Sequence, residues 1–180
     1  MKKLIGTFVF IFFGLHLFGQ NFTLTDNGSS VKFTIKNFGL NVAGSFNGLT
    51  GKVAFNPENP ALSSFSASVA AASVNTGIES RDNHLKKEGY FDVVKYPLIS
   101  FVSSRITNSK RAGIWLMEGN ITIKGVTKKL SFPFTVTPAG DGYLFTGEFQ
   151  IDRRDFGVGS GSMVLSDKLQ VSLSVIAKKN

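Results

Sequence analysis

Two histidines, His16 and His84, and no cysteine make up the whole supply of imidazole and thiolate ligands in the chain. His16 falls within an amino-terminal apolar run, which leaves His84 alone. Structural zinc takes four nitrogen or sulfur ligands and catalytic zinc commonly three from the protein, so no dedicated metal site and no cofactor is expected. A serine–histidine–acid triad would have to recruit His84, and Gly159-Ser160-Gly161-Ser162 lacks the G-x-S-x-G spacing of a nucleophile elbow. The glycines from Gly157 to Ser162 have the look of a phosphate-cradling loop without its lysine or its helix. They suit positive φ at a bend or bulge instead. One catalytic reading survives, an enzyme on an apolar substrate with His84 and Asp82 as acid and base. Against it stand a binding protein and a structural module with a filled core.

Two charged clusters carry the remaining polar chemistry. Arg81-Asp82-Asn83-His84 precedes Tyr90-Phe91, and Asp152-Arg153-Arg154-Asp155 precedes Phe156. The clusters could pair, with a partly buried arginine bonded bidentately to a carboxylate and pinning one segment to the other. Alternatively Arg81, Asp82, His84, Arg154 and Asp155 form a polar rim that grips a headgroup.

The elements that must position these clusters are strands. Apolar side chains recur with period two at Val31-x-Phe33-x-Ile35, Phe65-x-Ala67-x-Val69-x-Ala71, Leu130-x-Phe132-x-Phe134-x-Val136 and Leu169-x-Val171-x-Leu173-x-Val175. Trp115, Met117, Ile121 and Ile123 follow the rule around Gly119, as do Tyr143, Phe145, Phe149 and Ile151. Shorter runs are Val53 with Phe55 and Ile99 with Phe101. Turn signals separate them at Asp26-Asn27-Gly28, Asn47-Gly48, Asn56 to Pro60, Asn108 to Gly113, Lys124-Gly125 and Pro138 to Gly142. About eight antiparallel strands follow, which can form a sandwich or close into a barrel. A single short helix is expected between Glu79 and Asp92, capped by Ser80, either as a lid over one barrel end or as a crossover.

The inward set is unusually aromatic. Phe33, Phe65, Phe91, Phe101, Trp115, Phe132, Phe134, Phe145 and Phe149 are the expected apolar lining, with Phe55 in the same set. Packed core is one meaning. An eight-stranded barrel is also just wide enough to hold one small ligand, and strands near ten residues make it deep.

At the amino terminus, Lys2 and Lys3, the apolar run Leu4–Phe18 and the small Gly19 read as a signal peptide over residues 1–19, followed by one domain over 20–180. The run of 15 residues is shorter than the roughly 20 a membrane-spanning helix needs. The expected location is therefore periplasmic or secreted. The formal net charge of +8 is dispersed along the chain. Without a basic helix it points to transient contact with an anionic membrane surface rather than to nucleic acid. A homodimer is left open.

Several ordered motifs resemble the YceI-like family. They are Thr76-x4-Arg81-Asp82-x-His84-Leu85, Tyr90-Phe91-Asp92, Tyr96-Pro97-x-Ile99-x-Phe101, Gly119-x-Ile121-Thr122-Ile123-Lys124-Gly125-Val126-Thr127-Lys128 and Arg154-x-Phe156-Gly157. The resemblance implies an extended, lipocalin-like antiparallel barrel, exported in bacteria and without enzymatic activity. Its interior would hold a polyisoprenoid or quinone-like lipid. Asn120, Ile121 and Gly89-Tyr90 depart from the family pattern, which leaves the ligand's identity open. The family's charged motif maps here only onto Arg81, Asp82, His84, Arg154 and Asp155.

Overall fold

The computed structural model describes residues 20–179, so the signal-peptide expectation lies outside the described residues. Nine antiparallel strands follow in order: β1 Gln20–Asn37, β2 Leu40–Phe46, β3 Thr50–Phe55, β4 Ser64–Ala70, β5 Leu98–Asn108, β6 Ile114–Ile123, β7 Val126–Ala139, β8 Gly142–Asp152 and β9 Leu165–Lys179. From β3 to β9 each strand pairs with the next, and β9 returns to β1 over most of its length. The other flank of β1 is shared: Val31–Asn37 pairs with β2 and Gln20–Thr23 with β3. Nine strands thus fill eight positions and close the barrel, which removes most exposed edges.

The break between β2 and β3 explains a departure from the sequence-based expectation. Asp26-Asn27-Gly28 reads as a turn but is an irregularity inside the long β1, where the pairing with β9 shifts between Thr25 and Ser30. The Asp26 carboxylate accepts the backbone N–H groups of Gly48 (3.1 Å) and Leu49 (3.0 Å), so the bulge in one strand holds the bend in its neighbour. Gly28 takes the positive φ of 80° that the shift requires. The strand β2 was not foreseen either, because Ala43 and Gly44 interrupt its alternation. Gly44 sits directly opposite Phe33. A side chain there would lie 2.2 Å from the Phe33 ring, so the glycine makes room for the aromatic.

Lys124-Gly125 is a two-residue turn with φ of 49° and 75°, as a right-twisted hairpin prefers. The helix α1 spans Glu79–Leu85, shorter than expected, and Ser80 does not cap it. Its amino end is organised by Asp82 instead. The Asp82 carboxylate accepts Thr76 N–H at 2.8 Å and the Thr76 hydroxyl, while Arg81 donates to the Thr76 hydroxyl (2.7 Å) and carbonyl (2.8 Å).

Strand directions sort the connections into two ends. One end carries the β1–β2 turn, the α1 crossover from Ala71 to Pro97, the β6–β7 turn and a 3₁₀ turn, Arg153–Phe156, that leads to β9. The opposite end carries the start of β1, residues 56–63, the β5–β6 loop and the β7–β8 turn. At that end the core is solid: Phe55 meets Trp115, Tyr143 and Phe145 edge-on at 5.7, 5.4 and 5.4 Å. Phe22, Val53, Ile106 and Ala177 are almost fully buried around them.

Candidate functional site: an apolar cavity with a polar mouth

Above the packed end the barrel is hollow. A cavity of about 440 Å³ runs between the strands toward the α1 end, within the range of about 300–1,000 Å³ common for small-molecule sites. Phe33, Phe65, Phe91, Phe101, Phe132, Phe134, Phe145 and Phe149 all border it, with aliphatic residues such as Val69, Ile99, Leu169 and Val171 between them. The rings hold one another in place: Phe132 lies 4.8 Å from Phe149 and 5.9 Å from Phe101, and Phe65 lies edge-on to Phe145 at 4.8 Å.

Trp115 does not share this position. It stands in the packed end against Phe55 and Phe134, with its indole nitrogen buried and without a hydrogen-bond partner. Alternation along β6 gave its inward direction correctly. Its depth along the barrel, which decides between lining and floor, is not a periodic property.

Polar groups gather at the mouth. Thr76, Arg81 and His84 reach the cavity from the crossover, Asn37 from the β1–β2 hairpin and Arg153 from the 3₁₀ turn. His84 packs edge-on against Tyr90 at 4.7 Å, and Phe91 against Phe46 at 5.4 Å, so the crossover covers the opening with aromatic side chains of its own. The crossover therefore lines the cavity as well as linking β4 to β5.

Of the expected polar rim, Arg81 and His84 border the cavity. Asp82, Arg154 and Asp155 do not. Asp82 is turned onto Thr76, Arg154 is exposed 4.0 Å from Asp167, and Asp155 lies 3.9 Å from Lys128. The two charged clusters do not pair with each other. With its carboxylate accepting from Thr76, Asp82 is not placed to act with His84 on a molecule in the cavity.

The arginine that is pinned by a carboxylate is Arg153, which sequence reasoning did not single out. It is only 5% exposed and donates to Asp167 Oδ1 at 2.7 Å. Its other N–H groups reach the carbonyls of Val158 (2.9 Å), Ser160 (2.9 Å) and Ser166 (3.0 Å). One side chain thus gathers the glycine-rich connection and the start of β9 around itself. Gly157 and Gly159, with φ of 65° and 71°, let the backbone fold round the guanidinium, so the segment is a bend. Gly159 N–H donates to Gly89 O at 2.9 Å and ties this loop to the crossover. A signal was present in the sequence: a charged residue continuing the inward register of β8, after Phe149 and Ile151.

The fold and cavity define a class: closed antiparallel β-barrels with a deep aromatic-lined interior and a polar, covered mouth. Residues 22–177 match the YceI-like domain family, and the chain belongs to it. A UPF0312 protein of Yersinia enterocolitica is 30% identical over 152 residues, 81% of this chain and 78% of that protein. Among solved structures, BcnA of Burkholderia cenocepacia superposes with a TM-score of 0.81 at 26% identity, covering 86% of this chain and 99% of that one. A Campylobacter jejuni YCEI protein gives 0.71 at 26% identity over 78% of this chain and 86% of its own. The fold is shared at 15% identity by a polyisoprenoid-binding domain from Saccharophagus degradans, with a TM-score of 0.72 over 88% of this chain and 98% of that domain.

Proposed function

We propose that this barrel binds one long apolar lipid of isoprenoid type, and serves as its carrier, buffer or store after export from the cytoplasm. The observation that carries the reading is the cavity itself: ten phenyl rings, on six strands, the crossover and the 3₁₀ turn, surround space that the protein's own side chains leave open. Water gains little from such walls, and each methylene transferred into them is worth about 0.8 kcal/mol before the costs of binding. A chain of ten methylenes would contribute roughly 8 kcal/mol gross. At the mouth, the Arg81 guanidinium and the His84 imidazole can meet a carbonyl or hydroxyl oxygen, which orients the headgroup outward.

The description of the Saccharophagus degradans domain as polyisoprenoid-binding supports this choice of lipid class. The amino-terminal residues Met1–Gly19 support export. No catalytic role is proposed, since the Asp82 carboxylate is held by Thr76.

Native mass spectrometry of protein made in its own host is expected to show an added mass of one lipid, removable by organic extraction and restored by a prenyl quinone. Protein that is ligand-free on isolation and takes up no prenyl quinone would sink the proposal.

A further inference from the structure

We propose that the mouth end of the barrel docks onto the surface of a phospholipid bilayer carrying anionic headgroups. Exposed large apolar side chains are distributed unevenly. Of the ten on the described surface, eight belong to the mouth end: Phe38, Leu40, Ile78, Val94, Leu98, Val126, Met163 and Val164. Only Leu62 lies at the packed end, and Val102 lies midway along β5. A monomer scatters such residues singly over its surface, whereas their concentration on one face marks an interaction site.

The densest part of this face is a single knuckle. Phe38 and Leu40 are each 73% exposed, and Met163 is fully exposed. Phe38 N–H donates to Val164 O at 2.9 Å, which holds the β1–β2 turn beside the approach to β9. Phe38 also breaks a local rule. It occupies the first position of a two-residue turn, with φ of 50° followed by Gly39 at 76°. Asparagine is favoured there, and an aromatic in the left-handed region is strained. An exposed phenyl ring kept in a strained conformation satisfies neither stability nor solubility.

Continuity selects a membrane as the occupant. Asn37, Val42 and Leu165, chain neighbours of the knuckle, line the cavity. A lipid crossing the mouth would therefore pass from the bilayer to the phenyl-lined interior along apolar surface. Charge agrees in balance: Lys36, Lys87, Lys95, Lys128, Arg154 and Lys168 are exposed at this end against the exposed acids Glu79, Glu88 and Asp155, while Asp82 and Asp167 are turned onto Thr76 and Arg153. Cations occur at both ends of the barrel, so charge alone does not choose the face. The apolar residues do, and aromatic and aliphatic side chains flanked by lysine are the composition of interfacial anchors. The proposal rests on the lipid-binding reading only for what passes through the mouth, and docking is measurable with an empty barrel.

Flotation of residues 20–180, whose barrel is complete, with vesicles of phosphatidylcholine and phosphatidylglycerol tests it. Wild-type protein is expected to float with the vesicles. The triple variant Phe38→Ser, Leu40→Ser, Met163→Ser is expected to bind at least tenfold more weakly, while Leu62→Ser at the packed end binds as wild type. The single variant Phe38→Asn relieves the strained turn, so it should melt no lower than wild type yet float less. Wild type that stays unbound, or a triple variant that floats unchanged, overturns the proposal. So does mouth-dependent dimerisation in solution without vesicle binding, which would assign the face to a second copy. Native mass spectrometry of the bound lipid is independent of all these outcomes, so either reading can fail alone.

Discussion

The two ends of the barrel are built from the same alternating strands and the same aromatic residues, yet one is solid and the other hollow. At the packed end Phe22, Phe55, Trp115 and Tyr143 fill the cross-section. At the mouth end two of the joining segments are long, from Ala71 to Pro97 and from Arg153 to Val164, beside the two-residue turns at Phe38-Gly39 and Lys124-Gly125. They line and cover that end, and the rings of Phe33, Phe101 and Phe149 border an open space. Alternation determines that a side chain points inward. Depth along the barrel determines what it meets there.

Three substitutions sharpen this contrast. Phe55→Ala, in the solid end, removes a ring in contact with three others and is expected to cost about 3–5 kcal/mol of stability, measured by denaturant unfolding. Arg153→Met leaves three backbone carbonyls and Asp167 without their donor. Because Asp167 is 45% exposed and can rehydrate, the expected loss is smaller, about 2–3 kcal/mol. Hydrogen exchange should speed up selectively over residues 157–164; a change confined to the packed end would contradict the anchoring role of Arg153. Smallest in stability is Ala67→Phe, which projects a ring into existing space and should change unfolding by less than about 1 kcal/mol. Uptake of a prenyl quinone should nonetheless fall at least tenfold. Strong destabilisation by Ala67→Phe would mean that the interior has no room to spare.

Much of this was legible in the sequence, and the parts that were not share a cause. Period two located β4, β7, β8 and β9 and the inward direction of seven of the ten phenylalanines that line the cavity; Phe91 lies on the crossover, and Phe46 and Phe156 were missed. It could not locate β2, where Gly44 yields its side-chain space to Phe33. Asp26-Asn27-Gly28 has the composition of a turn, and only the N–H groups of Gly48 and Leu49 make it a bulge. Arg153 was passed over in favour of Arg154, although it continues the inward register of Phe149 and Ile151. The shift from β8 into a 3₁₀ turn decides which of the two arginines is buried. For β2 and the bulge, a contact distant in sequence overrides a local pattern.

The short strand β2 has one further implication. On one side it is hydrogen-bonded to β1 along its length. On the other, among the described residues, its only backbone bridge is the exchange between Ser45 and Asn75, at 2.8 and 3.0 Å. Residues 40–44 therefore form a seam in an otherwise continuous ladder. Parting the wall along that seam sacrifices the Ser45–Asn75 pair and the bonds of Asn47 to Ala70 N–H and the Ser73 hydroxyl, whereas parting it anywhere else would unzip a whole strand pairing. If the cavity takes the lipid proposed for it, this seam is where the wall opens at least cost, and the few bonds of Ser45 and Asn47 would set how long the guest stays.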